Sequence, residues 1–152
     1  MTGAARARGS MTKILLVDDS KFLRMATERA LARPGYSVIT ADDGGKAIEL
    51  AKREMPDVIL LDMLLPGMTG PDVLKSLKKD PSTAAIPVIA FTGLSHKNEG
   101  RLRQDGACAC LEKSTLELDK GCDTFLNALA AILRELGLEV PPHPRAYRAT
   151  GA

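Results

Sequence analysis

Aromatic side chains are scarce in this chain of 152 residues: three Phe, two Tyr and no Trp. Leu, Ile, Val, Met and Ala must therefore build its core. The hydrophobic fraction of 45% is nonetheless ordinary for a globular domain, and the length suits a single one. No apolar run approaches the roughly 20 residues needed to span a bilayer. Residues 1–10 hold Arg6 and Arg8 but no apolar stretch of the kind a secretory signal requires. The cysteines number three, an odd count without the spacing of a disulfide framework. Together these absences point to the cytoplasm and its reducing environment.

Acidic residues are missing from both ends. Residues 1–12 and 141–152 contain Arg6, Arg8, Arg145 and Arg148 and no Asp or Glu. The formal charge of +2 rests on these ends, because 21 basic residues less those four leave 17 against 19 acids. The basic ends read as solvated segments rather than as a nucleic-acid or lipid contact. Residues 1–12 are expected to be a disordered extension, with Met11 a candidate alternative start. Residues 13–138 are expected to be the folded domain, and residues 139–152 a tail rich in proline.

Three apolar runs dominate the middle: Ile14–Val17, Val58–Leu61 and Val88–Phe91. Each has the length and bulk of a strand buried on both faces. They end in Asp18-Asp19, in Asp62 and in Thr92. With the ends restored, the pattern predicts strands over Lys13–Val17, Tyr36–Thr40, Asp57–Leu61, Ile86–Phe91 and Ala107–Leu111. Helices are expected over about 21–33, capped by Ser20 and ended by Pro34-Gly35, and over about 45–54, ended by Met55-Pro56. Gly70-Pro71 opens another to Lys79, and a short one follows around Glu99–Asp105. The last carries Phe125, Leu129, Ile132 and Leu136 on one face, with Leu126 and Leu133 beside them and Gly137 as cap. Five strands alternating with five helices make an α/β fold with one doubly wound parallel sheet and right-handed crossovers.

Ligands of such sheets bind beyond the carboxyl ends of the strands. That edge is where Asp18, Asp19, Asp62 and Thr92 gather, with Lys113 just past the fifth strand. Clustered carboxylates repel one another, and Mg²⁺, which takes oxygen ligands and keeps waters or phosphate oxygens, relieves the repulsion. A carboxylate beside it can attack phosphorus, and a hydroxyl and an ammonium complete the neutralisation that phosphoryl transfer needs. Taken singly, each residue has a plainer reading. Asp18-Asp19 is then a helix N-terminal acidic pair, Thr92 a strand end and Lys113 a surface lysine.

The segments Leu16-Val17-Asp18-Asp19-Ser20, Leu60–Gly70 with Asp62-Met63-Leu64-Leu65-Pro66-Gly67, Phe91-Thr92-Gly93 and Lys113 resemble the receiver domain of two-component response regulators, over about residues 13–137. The resemblance implies a flavodoxin-like receiver fold. It implies Asp62 as acceptor of a phosphoryl group from a histidine kinase or phosphotransfer protein, with Thr92 and Lys113 holding that group. Mg²⁺ would be held by Asp19 directly, by Asp18 through water, by Asp62 and by the backbone carbonyl of Met63. It implies a single-domain, chemotaxis-regulator-like protein that switches binding to a downstream protein in a phosphorelay, without a DNA-binding domain. It would be no enzyme beyond its own phosphorylation and slow autodephosphorylation. The alternative is a degenerate receiver serving as a scaffold independent of phosphorylation.

Several positions depart from the family pattern. Cys110 stands where many members carry an aromatic switch residue, and Ser114 where many carry proline. Leu64 and Leu94 occupy the positions that flank the path of the hydrolytic water, which implies a long-lived phosphoryl group. A phosphatase working through an aspartyl phosphate would want a general acid at 64 and a capping insertion, and neither is present. Cys108 and Cys110 are expected on opposite faces of the fifth strand, as packing residues rather than a metal pair. His96 reads as an exposed loop residue.

Overall fold

The computed structural model describes residues 11–93, 99–116 and 122–141. Most of the expected extension and tail lies outside these residues, as do Leu94 and His96. The elements run β1 (Lys13–Val17), α1 (Lys21–Ala32), β2 (Ser37–Ala41), α2 (Gly44–Glu54), β3 (Val58–Leu61), α3 (Gly70–Lys79), β4 (Val88–Thr92), α4 (Glu99–Gln104), β5 (Ala109–Glu112) and α5 (Asp123–Glu135), with a 3₁₀ turn over Lys113–Thr115. All pairings are parallel, and the sheet order is β2-β1-β3-β4-β5. This is the flavodoxin-like order, whose switch point lies between β1 and β3.

The strands form where they do because both faces of the sheet are covered. Ile14 to Val17, Val58 to Leu61 and Val88 to Phe91 are all at 0% exposure. Successive side chains alternate between two cores. Ile14, Leu16, Val58, Leu60, Ile89 and Phe91 pack with Leu31 of α1 and with Phe125, Leu129 and Leu133 of α5. Leu15, Val17, Ile59, Leu61, Val88 and Ala90 pack with Ala47 and Ala51 of α2, Val73, Leu74 and Leu77 of α3, and Leu102 of α4. Each Leu, Ile or Val buried this way contributes about 1.5–3 kcal/mol.

Local chemistry sets the helix ends. Ser20 Oγ accepts from the Leu23 N–H at 3.3 Å, as its capping role required. Asp43 Oδ1 accepts from the Lys46 N–H at 2.8 Å, so α2 starts at Gly44, one residue before the sequence expectation. Thr69 and Asp72 form a reciprocal capping box at the start of α3. Gly137, at φ +78, closes α5: its N–H donates to Arg134 O and that of Leu138 to Leu133 O. That is the hydrogen-bond pattern of a Schellman motif.

Three strand boundaries move for similar reasons. The Tyr36 N–H is spent on Leu31 O at the end of α1, so β2 begins at Ser37. The Ile86 N–H goes to Thr83 O and Pro87 has none, so β4 begins at Val88 and extends through Thr92. The Ala107 N–H returns to Leu102 O, which delays β5 to Ala109. That last shift places the cysteines. Within one regular strand, positions two apart share a face. Cys108 precedes β5, however, and packs toward the α1/α5 core, while Cys110 packs toward the other. At the chain ends, Thr12 is buried and its Oγ1 donates to Glu139 O at 2.6 Å, which straps the segment after α5 to the start of β1.

Thr27, at 0% exposure on α1, has a hydroxyl without a hydrogen-bond partner. An unsatisfied buried hydroxyl costs about 1–3 kcal/mol. Thr27→Val keeps the shape and removes the polar atom. It is expected to stabilise the domain by about 1 kcal/mol, raising the melting temperature by roughly 2–4 °C. Calorimetry that finds a lower melting temperature would show that the hydroxyl has a partner in solution.

Candidate functional site

Strand register builds the site. Val17 is level with Leu61 in the β1–β3 pair, so Asp18 and Asp62 leave the sheet side by side. The Asp62 N–H donates to Val17 O at 3.0 Å, and the Asp18 N–H to Ala41 O at 3.1 Å. Leu61 is level with Ala90, so Thr92 stands beyond Asp62 on the neighbouring strand. Thr92 is in register with Glu112, which brings Lys113 to the same edge. Asp18, Asp62 and Thr92 are buried, at 0%, 3% and 4% exposure, whereas Asp19 faces solvent.

The three aspartates each offer an oxygen within 4.8 Å of the others. Lys113 Nζ lies 3.0 Å from both Asp18 Oδ2 and Asp62 Oδ2. Only the Asp62 contact has hydrogen-bond geometry. Asp18 Oδ2 is therefore a buried carboxylate oxygen with an ammonium beside it and no hydrogen bond. One lysine faces three carboxylates, and the remaining negative charge and the orphaned oxygen suit a hard cation. The donor set thus fits Mg²⁺, which favours oxygen ligands.

Backbone amides hold the carboxylates in place. Ser20 N–H donates to Asp18 Oδ1 at 2.9 Å, and Leu64 N–H to Asp62 Oδ1 at 3.0 Å. Arg24 Nη1 donates to Asp18 O at 2.9 Å. Gly70 N–H donates to the Met63 carbonyl at 3.2 Å, which leaves that oxygen a second lone pair for a cation. A Cβ on Gly70 would stand 2.4 Å from Met63 Cα and 2.6 Å from Asp62 O. Glycine is needed there because α3 starts against the backbone that follows Asp62. Beneath the lysine lies Phe91, whose ring centroid is 5.8 Å from Lys113 Nζ.

Asp18, Asp19, Asp62, Thr92 and Lys113 thus come to one edge of the sheet. Sequence reasoning missed Phe91, the close approach at Gly70 and the Arg24 contact. The signal for Gly70 was available, because it stands eight residues past Asp62 at a helix start. Leu64 is 61% exposed beside Asp62, while Leu94 lies outside the described residues. Cys110 is half-buried against the α2–α4 side.

Burial pushes the Asp62 carboxyl above its ordinary range, against the Leu64 N–H and Lys113, which favour its charged form. Burial opposes charge on Lys113, but the carboxylates of Asp62 and Asp18 outweigh it and hold that ammonium above its usual value. A raised folded-state value for Asp62 means that its ionisation disfavours the fold at neutral pH. The penalty disappears as pH falls below the unfolded value of about 3.9. Without divalent metal, Asp62→Asn is therefore expected to melt a few degrees above wild type at pH 7, with the gap closing toward pH 4. Thermal melts in EDTA across that range check this; a variant less stable at pH 7 would reverse the sign.

The family model of the response regulator receiver domain matches residues 14–120. The chain is 42% identical to protein PilH of Pseudomonas aeruginosa over 124 residues, 81% of this chain and 98% of that protein. It is also 42% identical to response regulator PleD of Caulobacter vibrioides over 87 residues, 57% of this chain but only 19% of PleD. Among solved structures, the chemotaxis protein CheY4 of Vibrio cholerae superposes with a TM-score of 0.72 at 30% identity, covering 82% of this chain and all of CheY4. With the 2-1-3-4-5 sheet and the acidic edge that register assembles, these matches establish that the chain belongs to the response regulator receiver domain family.

Proposed function

We propose that this receiver accepts a phosphoryl group on Asp62 from a histidine kinase or phosphotransfer protein and thereby switches its binding to a downstream protein. The observation that carries the reading is the shared lysine. Asp62 and Asp18 emerge side by side, and a single ammonium contacts both at 3.0 Å. Asp18, Asp19, Asp62 and the Met63 carbonyl are the groups that would hold Mg²⁺. When bound, it supplies positive charge against the phosphoryl oxygens. An Asp62 oxygen forms the new bond to phosphorus while the bond to the donor's nitrogen breaks. The Leu64 N–H fixes the carboxylate plane for that attack. Lys113 follows charge from Asp62 to the phosphoryl oxygens, and Thr92 donates its hydroxyl to them. Such chemistry serves the chain's own modification, in the cytoplasm, and turns over no other substrate.

Acetyl phosphate with Mg²⁺ is expected to add one acid-stable, base-labile phosphoryl group, and Asp62→Asn to abolish it. Labelling of that variant at the wild-type rate, read by intact mass, would remove Asp62 from the role. Millimolar Mg²⁺ is expected to raise the wild-type melting temperature by mass action. Asp19→Ala should lose this rise together with most of the labelling, and an unmoved wild-type melting temperature would contradict the metal assignment.

The lifetime of the phosphoryl group follows from Leu64, exposed beside Asp62, and from the leucine at 94. Neither side chain can align a hydrolytic water by hydrogen bonding, and Leu64 can shield phosphorus. Leu64→Asn combined with Leu94→Glu is expected to speed loss of the group on the order of tenfold, about 1.4 kcal/mol of barrier. The measurement is decay of labelled protein after the donor is removed, and equal rates would clear both leucines of the role.

A further inference from the structure

We propose that Phe91 is a positioning residue for Lys113: its ring face seats the ammonium between Asp18 and Asp62. The chain has five aromatic residues; one of them lies beneath this lysine and a second packs against the first at a 40° tilt. Lys113 Nζ lies over the Phe91 ring at 5.8 Å from its centroid, and Phe91 packs on Phe125 of α5 at 5.4 Å between centroids.

Phe91 looks at first like ordinary core, since it is fully buried in the α1/α5 cluster. Three observations assign it more. The first is that Nζ stands 3.0 Å from two carboxylate oxygens but has hydrogen-bond geometry only to Asp62. Hydrogen bonding alone therefore does not fix its place. The second is that the Lys113 side chain keeps only 18% of its exposure, so its charge has lost most of its water. A ring face returns part of that loss, because the quadrupole presents negative potential to a cation within about 6 Å. The third is strand direction. Adjacent residues point to opposite faces, so β4 places the Phe91 ring under the lysine and turns the Thr92 side chain away from that core. Phe125 backs the ring and keeps it from turning aside.

The consequence bears on phosphoryl transfer and rests on the phosphoacceptor reading above. A seated ammonium stands ready for oxygens arriving at Asp62. An unseated one can pair with a single carboxylate or turn to solvent, and must be recovered at each transfer. The seat positions Lys113, and Phe91 itself touches no reacting atom.

The test replaces Phe91 with 4-fluoro-, 3,5-difluoro- and pentafluorophenylalanine, which nearly keep the shape while draining negative potential from the ring face. Phe91→Leu serves as the apolar control. Two readouts are taken on the full chain: the Lys113 Hε chemical shifts, which report the ring current, and the rate of labelling by acetyl phosphate in Mg²⁺. The expected result is an upfield Hε shift in wild type that Phe91→Leu abolishes. Labelling should fall stepwise with fluorination, by about threefold to tenfold over the series, at melting temperatures that show each variant folded. Ordinary Hε shifts in wild type, or a labelling rate flat across the fluorinated series, would overturn the proposal. Wild-type protein that takes no label would sink the phosphoacceptor reading instead, and the Hε shifts alone would then decide the seat.

Discussion

One lysine between two buried aspartates is the interaction on which the rest of this domain turns. Asp18 and Asp62 are 0% and 3% exposed and both face Lys113 Nζ at 3.0 Å. Two carboxylates in so dry a place are costly, and one ammonium offsets only part of that cost. The fold accepts the imbalance because other contacts hold the pair in place. The Ser20 and Leu64 amides each donate to one carboxylate, and the sheet register leaves neither aspartate free to move away. The site is thus built with negative charge to spare, which suits it to take up a cation.

The parallel sheet makes that imbalance possible. Parallel strands buried on both faces are stiff and apolar, so polar chemistry is confined to their ends. The order β2-β1-β3-β4-β5 puts β1 beside β3, so that chain segments more than forty residues apart deliver their aspartates to one point. The two cores lock the strands from opposite sides. Phe91 and Phe125 belong to one of them, so the lysine's surroundings and the packing of α5 are physically continuous.

Much of this was legible in the residues, for definite reasons. Ile14–Val17, Val58–Leu61 and Val88–Phe91 read as strands because a strand covered on both faces is a continuous apolar run. Asp18, Asp62 and Thr92 were legible because a polar residue ending such a run has only the sheet edge to occupy. Boundaries moved where a backbone donor had a prior use. Tyr36 and Ala107 return their N–H groups to the preceding helix, and Ile86 bonds into the turn before β4. The cysteine placement depended on where β5 starts, which a soft segment of Ala and Cys does not announce. Phe91 escaped notice because a buried aromatic in a strand looks like core from the sequence, and only the position of Lys113 gives its ring face a use. The Asp18–Lys113 contact was equally hidden, since a resemblance names site residues without saying which of them share a charge.

Lys113 Nζ stands 3.0 Å from Asp18 Oδ2 and from Asp62 Oδ2, so a divalent ion bound by the same aspartates would share their negative charge with the ammonium. The direct measurement is a titration of Mn²⁺ or Mg²⁺ into wild type and into Lys113→Met, without phosphate, at matched ionic strength. If the ammonium and the metal compete for the same Asp18 and Asp62 oxygens, the variant binds the ion more tightly, on the order of tenfold, or about 1.4 kcal/mol. Equal or weaker binding by a folded Lys113→Met protein would show that the lysine is no competitor for the negative charge of Asp18 and Asp62.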